Sequence, residues 1–281
     1  MKICYLLLLH HKFDQALRMT RRLAGRDCGF AVHIDVAADP TSVAAFQRRL
    51  DAFAPVVYAQ RVRARWGSYS QALAIRRCVE AAARQSARFD RYVLLSGQDY
   101  PIACQSEIAE FFEEHPDTEY LEAVPRDVSA ADISAWTPYF RFRCHHLWVG
   151  RRRIRVPLLR KGAPPLPLYH GSTWWALTRA ALLYVAAQFE SNRPLRRYLR
   201  TGFLVDEVYI PTLLMSSEFA SRVTGNNVTY AQWTPASGPH PKTLRIDDLP
   251  QLLASPKLFA RKFDTTVDES VMNELDRLHA D

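Results

Sequence analysis

The chain has 281 residues, of which 48% are hydrophobic and 23% charged, and it carries a formal net charge of +8. Such a length and composition suit one large globular domain or two small ones and supply ample core material, which argues against a disordered or fibrous chain. The basic balance calls for an anionic partner: nucleotide phosphates, acidic glycans, nucleic acid or an anionic membrane surface. Cys4, Cys28, Cys78, Cys104 and Cys144 are odd in number and form no CxxC pair, so neither a disulfide framework nor a zinc site is indicated, and a reducing cytoplasm follows.

The run from Ile3 to Leu9 is too short to span a bilayer, lacks a signal-peptide cleavage site and reads as a first core strand. Helical spacing follows from His11 to Leu23, then a second strand from Gly29 to Val36, a helix over 41–53 and a short strand at Val56–Tyr58. Ser68 to Gln71 has capping-box spacing and opens a helix through about Arg84. Tyr92 to Leu95 is a continuous apolar run, as in a strand buried on both faces, and it breaks into Ser96-Gly97-Gln98-Asp99 before Pro101. The carboxyl ends of such strands are where open α/β sheets bind ligands, although an ordinary turn fits equally well. A helix from about Ser106 to Glu114 stops at Pro116. This alternation argues for a parallel α/β sheet.

Beyond Pro116 the texture changes. Glu119 to Val124 reads as a strand. No acidic residue occurs from Ile133 to Phe189, and Arg141, Arg143, Arg151, Arg152, Arg153, Arg155, Arg160 and Lys161 cluster there. Residues 125–168 read as long irregular connections, which in compact domains are usually functional or mobile. A strand from Thr173 to Leu177, a helix capped by Thr178, a short helix over 206–215 and a strand from Asn227 to Trp233 follow. The last helices are expected over 247–254 and 266–278, the second with a capping box from Thr266 to Glu269.

Several residues could carry chemistry. Asp35 ends a strand, where a carboxylate suits a ribose, a base edge or a metal, and equally a turn or helix cap. No Asp-X-Asp occurs, so a paired-carboxylate metal site is poorly supported. Asp206-Glu207 sits among apolar residues; it starts a helix, or it places in a cleft a Glu with the raised proton affinity of a general base. Gly171-Ser172-Thr173-Trp174-Trp175 combines aromatic faces with hydroxyls, a set that suits sugar rings, while at least one of the two tryptophans should be core. Lys262 lies between Phe259 and Phe263, either as a phosphate ligand or on a solvated helix face.

In order along the chain come His10-His11-Lys12, His33-Ile34-Asp35, Trp66-Gly67-Ser68, Leu95 to Ile102, Gly171-Ser172 with Trp174-Trp175, Asp206-Glu207, Trp233 with His240-Pro241, and Leu258 to Phe263. This ordered set resembles the core-2/I-branching N-acetylglucosaminyltransferase family, which includes peptide O-xylosyltransferases. The resemblance implies a GT-A-type α/β fold with a mostly parallel central sheet flanked by helices. It divides the chain into a nucleotide-sugar half (1–116), an acceptor half (117–245) and C-terminal helices closing on the diphosphate (246–281). It implies inverting transfer from a UDP-sugar without a metal or other cofactor, basic side chains replacing the cation.

By the same resemblance Glu207 matches the catalytic base. Asp35, with His10, Arg63, Ser96, Gly97, Lys242 and Lys262, falls on the donor side. Glu122, Ser172, Trp174 and Trp233 fall on the acceptor side. Lys262 matches the family lysine of Leu-Phe-Ala-X-Lys-Phe. No arginine stands where the family has its partner arginine, so His240, Lys242 or Arg245 is left to substitute. Animal members are anchored and cysteine-rich; this chain lacks both features, so the expectation is a bacterial cytoplasmic enzyme of surface-polysaccharide synthesis. Its expected partners are a UDP-sugar and a glycan acceptor, with peripheral contact to an anionic inner-membrane surface and no nucleic acid. N-acetylglucosamine is the favoured sugar. The alternatives are a xylosyl donor and a non-catalytic binder of polyanions or glycans.

Overall fold

Four parallel strands form the centre of the structure, a computed structural model that describes residues 1–126, 141–150, 152–160, 162–238 and 240–279. They are β1 (Ile3–Leu9), β2 (Cys28–Ile34), β3 (Val56–Tyr58) and β4 (Arg91–Ser96). The sheet order is β3-β2-β1-β4, with β10 (Ala176–Thr178) added antiparallel to β4. The mostly parallel, helix-flanked sheet implied by the resemblance is present.

Residues along β1 divide by alternation. Ile3, Tyr5, Leu7 and Leu9 enter the core under one face, and Cys4 and Leu6 enter the core under the other. A strand covered on both faces has no use for polar residues, hence the unbroken apolar run. Each aliphatic side chain buried this way contributes about 1.5–3 kcal/mol. One face is covered by α1 (Phe13–Leu23), α2 (Pro40–Asp51) and α4 (Gln105–Glu114), the other by α3 (Tyr69–Ala83) and α5 (Arg179–Ser191).

A second sheet joins β5 (Asp99–Pro101), β12 (Phe259–Arg261) and β11 (Thr229–Ala231) in the order β11-β12-β5. Register sets Arg261 opposite Asp99. Thus the stretch 92–102 is two strands: β4 completes the parallel sheet, and after the Gly97-Gln98 turn β5 recruits the segment that leads to Lys262. Two antiparallel pairs complete the sheets: β6 (Val124–Arg126) with β9 (Leu168–His170), and β7 (Cys144–Val149) with β8 (Arg152–Leu159).

Several expectations are corrected. Residues 119–124 do not form a strand: Glu119 and Tyr120 make isolated bridges, and Glu122 lies in the irregular segment before β6. Within 125–168 the structure contains the β7–β8 hairpin; residues 127–140, Arg151 and Lys161 of that stretch lie outside the described residues. The last helix, α9, is Ser270–Leu278, and Asp268 rather than Thr266 receives its first amides. The short helix expected over 206–215 starts later: Val205–Glu207 is a 3-10 turn, and α7 spans Tyr209–Met215, with Pro211 in its first turn. Lys257 to Lys262 is not a helix face, because Phe259–Arg261 is β12. Helix α6 (Arg193–Leu199) was not anticipated. Helix α8 is Leu249–Leu253.

Candidate active site

Glu207 ends the 3-10 turn Val205–Glu207, and three segments hold that turn in place. Leu204 donates its N–H to Gly67 O at 2.8 Å, and Gly171 donates to Glu207 O at 2.8 Å. The Asp206 carboxylate accepts from Gln71 Nε2 at 2.9 Å and Thr173 Oγ1 at 2.8 Å. Gln71, expected to reach back to its helix cap, instead accepts from Gly67 N at 3.1 Å and ties the start of α3 to Asp206. The Trp66-Gly67-Ser68, Gly171 to Thr173 and Asp206-Glu207 motifs, far apart in sequence, form one unit.

The two acids diverge in character. Asp206 is buried, and burial followed by the neighbouring Glu207 charge pushes it up to about 7. Glu207 is half-buried, and its Oε2 accepts from Arg141 Nη1 at 2.9 Å and His170 Nε2 at 2.8 Å. Glu207 therefore has one carboxylate oxygen, Oε2, held by a guanidinium and an imidazole, while Asp206 is a buried acid tied into the fold. Neither Arg141 nor His170 stood out in the sequence; Arg141 was read only as part of a basic cluster, and His170 follows no motif spacing.

A cationic group sits at the carboxyl ends of β1 and β2. The rings of His10 and His11 stack at 3.9 Å. Burial lowers the proton affinity of His10 most; His11 and Lys262 lower it further and Asp35 opposes them, so all four are electrostatic neighbours. His240 has its proton affinity lowered by burial, then by Lys262 and Arg261, and its ring lies 5.5 Å from Trp66. Lys262 itself is lowered by burial and by Arg261. Burial is the main cause in each case, with the neighbouring basic groups adding to it, so an anion bound among them would be favoured.

Asp35 is buried and fully committed to the loop beside it: Oδ1 accepts from Ala37 N and Oδ2 from Ala64 N, both at 2.7 Å. Arg61 Nη2 donates to Asp35 O at 2.8 Å. This organises the loop that carries Arg63, which is exposed. Ser96 and Gly97 occupy the turn after β4. Ser96 Oγ donates to Asp99 Oδ2 at 2.7 Å, and Asp99 Oδ1 lies 3.6 Å from Arg261 Nη1. Asp99 is wholly buried and spends its charge on the turn and on Arg261. Lys242, placed with the donor set by resemblance, is ion-paired to Asp248 at 2.6 Å; its charge is already matched.

On the acceptor side the residues are less tightly grouped. Glu122 Oε1 accepts from Asn227 Nδ2 at 2.6 Å. Ser172 Oγ accepts from Trp174 N at 3.3 Å. Trp174 lies under Arg261, 4.0 Å from guanidinium carbon to ring centre, a stacked cation, while Trp175 is core, as one of the pair had to be. Trp233 is 62% exposed, available to a ligand but to no buried wall.

An α/β sheet with basic residues at its carboxyl edge is an arrangement suited to an anionic ligand. The core-2/I-branching enzyme family model matches residues 3–254, and the chain belongs to that family. A xylosyltransferase of Ciona intestinalis is 24% identical over 303 residues, covering 100% of this chain and 34% of that protein. Xylosyltransferase 2 of Homo sapiens is 26% identical over 206 residues, covering 67% of this chain and 23% of that one. The chain thus spans about a third or less of these relatives' length. Among solved structures, 4-diphosphocytidyl-2C-methyl-D-erythritol synthase of Anaerococcus prevotii aligns with a TM-score of 0.35 at 10% identity, covering 68% of this chain and 74% of that one, too remote to support an argument. Among the described residues no helix is long and apolar enough to cross a membrane.

Proposed function

We propose that the protein is an inverting, metal-independent glycosyltransferase that moves a sugar from UDP to a hydroxyl of a glycan acceptor in bacterial surface-polysaccharide synthesis. The observation that carries the reading is Glu207 held by Arg141 and His170 on a turn joined to both the Gly67 and the Gly171 segments. Glu207 takes the proton of the acceptor hydroxyl as its oxygen bonds to the anomeric carbon. The bond from that carbon to the β-phosphate oxygen breaks on the opposite face, so the configuration inverts. The departing diphosphate gains charge, and Lys262 stabilises that charge more than the ground state. The clustered cations supply the support for metal independence. Asp99, the carboxylate nearest the end of the central strand, is matched by Ser96 and Arg261 rather than presented outward.

N-acetylglucosamine is the donor favoured by the family. Xylose is the second reading, favoured by the xylosyltransferase relatives. A screen of UDP-sugars by UDP release, repeated in EDTA, tests the proposal. Release with one donor, undiminished by the chelator, is expected. Release with none overturns the activity, and collapse on chelation with recovery in Mn²⁺ overturns metal independence.

A further inference from the structure

The outer face of the β7–β8 hairpin is apolar where a solvent-facing strand is ordinarily polar. Register pairs Leu147 with Ile154 and Val149 with Arg152 across the strands. Leu147 is 47% exposed, Val149 64% and Ile154 48%. Arg152 is exposed and stands on this same face, opposite Val149. We propose that this hairpin face docks onto an anionic lipid surface and sets Glu207 beside it, a proposal that rests on Glu207 as the base of the transferase.

Three features argue for lipid. Aliphatic side chains beside an arginine at a hairpin tip match the boundary between acyl chains and anionic head groups, the aliphatics entering and the guanidinium remaining at phosphate depth. The sequence carries no acidic residue from Ile133 to Phe189, so nothing in the segment repels such a surface. A polyanion would use the arginines but leave the three aliphatics unexplained, and three side chains are too small a patch for a stable dimer interface.

The opposite face anchors the hairpin to the active site. The Arg153 guanidinium stacks 3.8 Å over the Phe203 ring, and the His146 ring lies 5.5 Å from it. His146 N donates to Thr201 O at 2.9 Å, and Trp148 packs on Phe203 and Leu204. Phe203-Leu204 runs directly into the turn that bears Glu207. A membrane seated on the outer face would therefore lie near the base, and the acceptor class this implies is a glycan whose reacting hydroxyl lies at a lipid surface.

The test is sedimentation of the full chain with vesicles of phosphatidylcholine alone and with vesicles in which about a third of the lipid is phosphatidylglycerol. Binding to the anionic vesicles only is expected, weakened about tenfold or more by Leu147→Ser, Val149→Ser and Ile154→Ser together. The single change Val149→Asp, at the exposed tip, should weaken it in the same direction and guards against misfolding of the triple variant. Replacing Arg152 by Gln should reduce the preference for phosphatidylglycerol. No binding by the unaltered chain, undiminished binding by both apolar-face variants, or binding to a soluble polyanion without binding to vesicles overturns the proposal. Neither vesicle binding nor a UDP-induced thermal shift depends on the other, so measuring both separates failure of the docking surface from failure of the transferase reading.

Discussion

Glu207 and His170 are joined from Oε2 to Nε2 at 2.8 Å, and the other ring nitrogen of His170 faces Arg126 Nη2 at 3.5 Å. Arginine can only donate, so Nδ1 accepts and the ring proton sits on Nε2, directed at Glu207. The imidazole thus fixes one oxygen of the carboxylate, and the proposed reaction assigns the acceptor hydroxyl to the other. Glu207→Gln preserves an oxygen that can accept from His170 and Arg141 but cannot take a proton. Transfer should fall by about 10²–10⁴-fold while UDP affinity is kept; near-normal turnover in a purified variant would remove Glu207 from the base role. His170→Phe, which frees the carboxylate to rotate, should lower kcat between about tenfold and 10²-fold with little change in donor KM.

Gly171 supplies a second check on the same turn. A Cβ there would stand 1.9 Å from Glu122 O, and its N–H donates to Glu207 O at 2.8 Å. Any side chain must push the 171–173 segment off Glu122 and drag the base with it. Gly171→Ala should cost about 1–3 kcal/mol of stability and depress transfer, read by thermal melting and by initial rates. An unchanged melt and rate would show that the segment moves without consequence.

The parallel sheet was legible because burial on both faces forces unbroken apolar runs, and β1, β3 and β4 fall within a residue or so of the runs that announced them. Glu207, Asp35 and Lys262 were singled out by their motifs as candidates. What surrounds them was not. His170, Arg141 and Gln15 act through tertiary contacts between residues far apart in the chain, and no local spacing encodes such pairings. Asp206 was visible as an acid, but its burial under Glu207 depends on Gln71 and Thr173 from two other segments. The β7–β8 hairpin was missed because the arginine cluster and the prolines after it read as a loop, although Arg153-Ile154-Arg155-Val156 alternates at strand period.

His33 gives the fold a pH dependence. It is buried in β2, its Nε2 accepts from Val62 N at 3.1 Å, and burial pushes it down to about 4 from an ordinary 6.5. Between those values the unfolded chain binds a proton that the folded one refuses, so stability rises with pH. The contribution is complete above about 6.5 and is lost as pH falls toward 4. Protonation also ends the bond to Val62, which leads into the loop capping Asp35 through Ala64. Melting temperature followed from pH 7 to pH 4 should decline in the natural chain, and less so in His33→Gln, whose amide oxygen can still accept from Val62. Equal slopes for both would assign the decline to other groups.

Gln15 is the residue on which the placement of Lys262 turns. It lies in α1, 4% exposed, and its Nε2 donates to Gly97 O at 2.8 Å and to Phe263 O at 3.2 Å. Its Oε1 accepts from Thr265 N at 2.9 Å, and Phe263 N donates to Gln98 O at 2.8 Å. One amide therefore fastens the turn after β4 to the segment that carries Lys262, setting the backbone of that residue beside the carboxyl edge of the sheet. Lys262→Met should cost about 2.7–4 kcal/mol of barrier as the charge on the leaving diphosphate goes unmatched. Gln15→Leu strands the two carbonyls and the Thr265 amide and lets Lys262 drift, so it should weaken UDP binding and transfer in the same sense. If Gln15 acts through Lys262, the two losses are not additive: Gln15→Leu should matter far less when Lys262 is already Met, with a coupling of about 0.5–3 kcal/mol. Additive losses in the double variant would make Gln15 a general stabiliser of the fold with no special claim on the diphosphate.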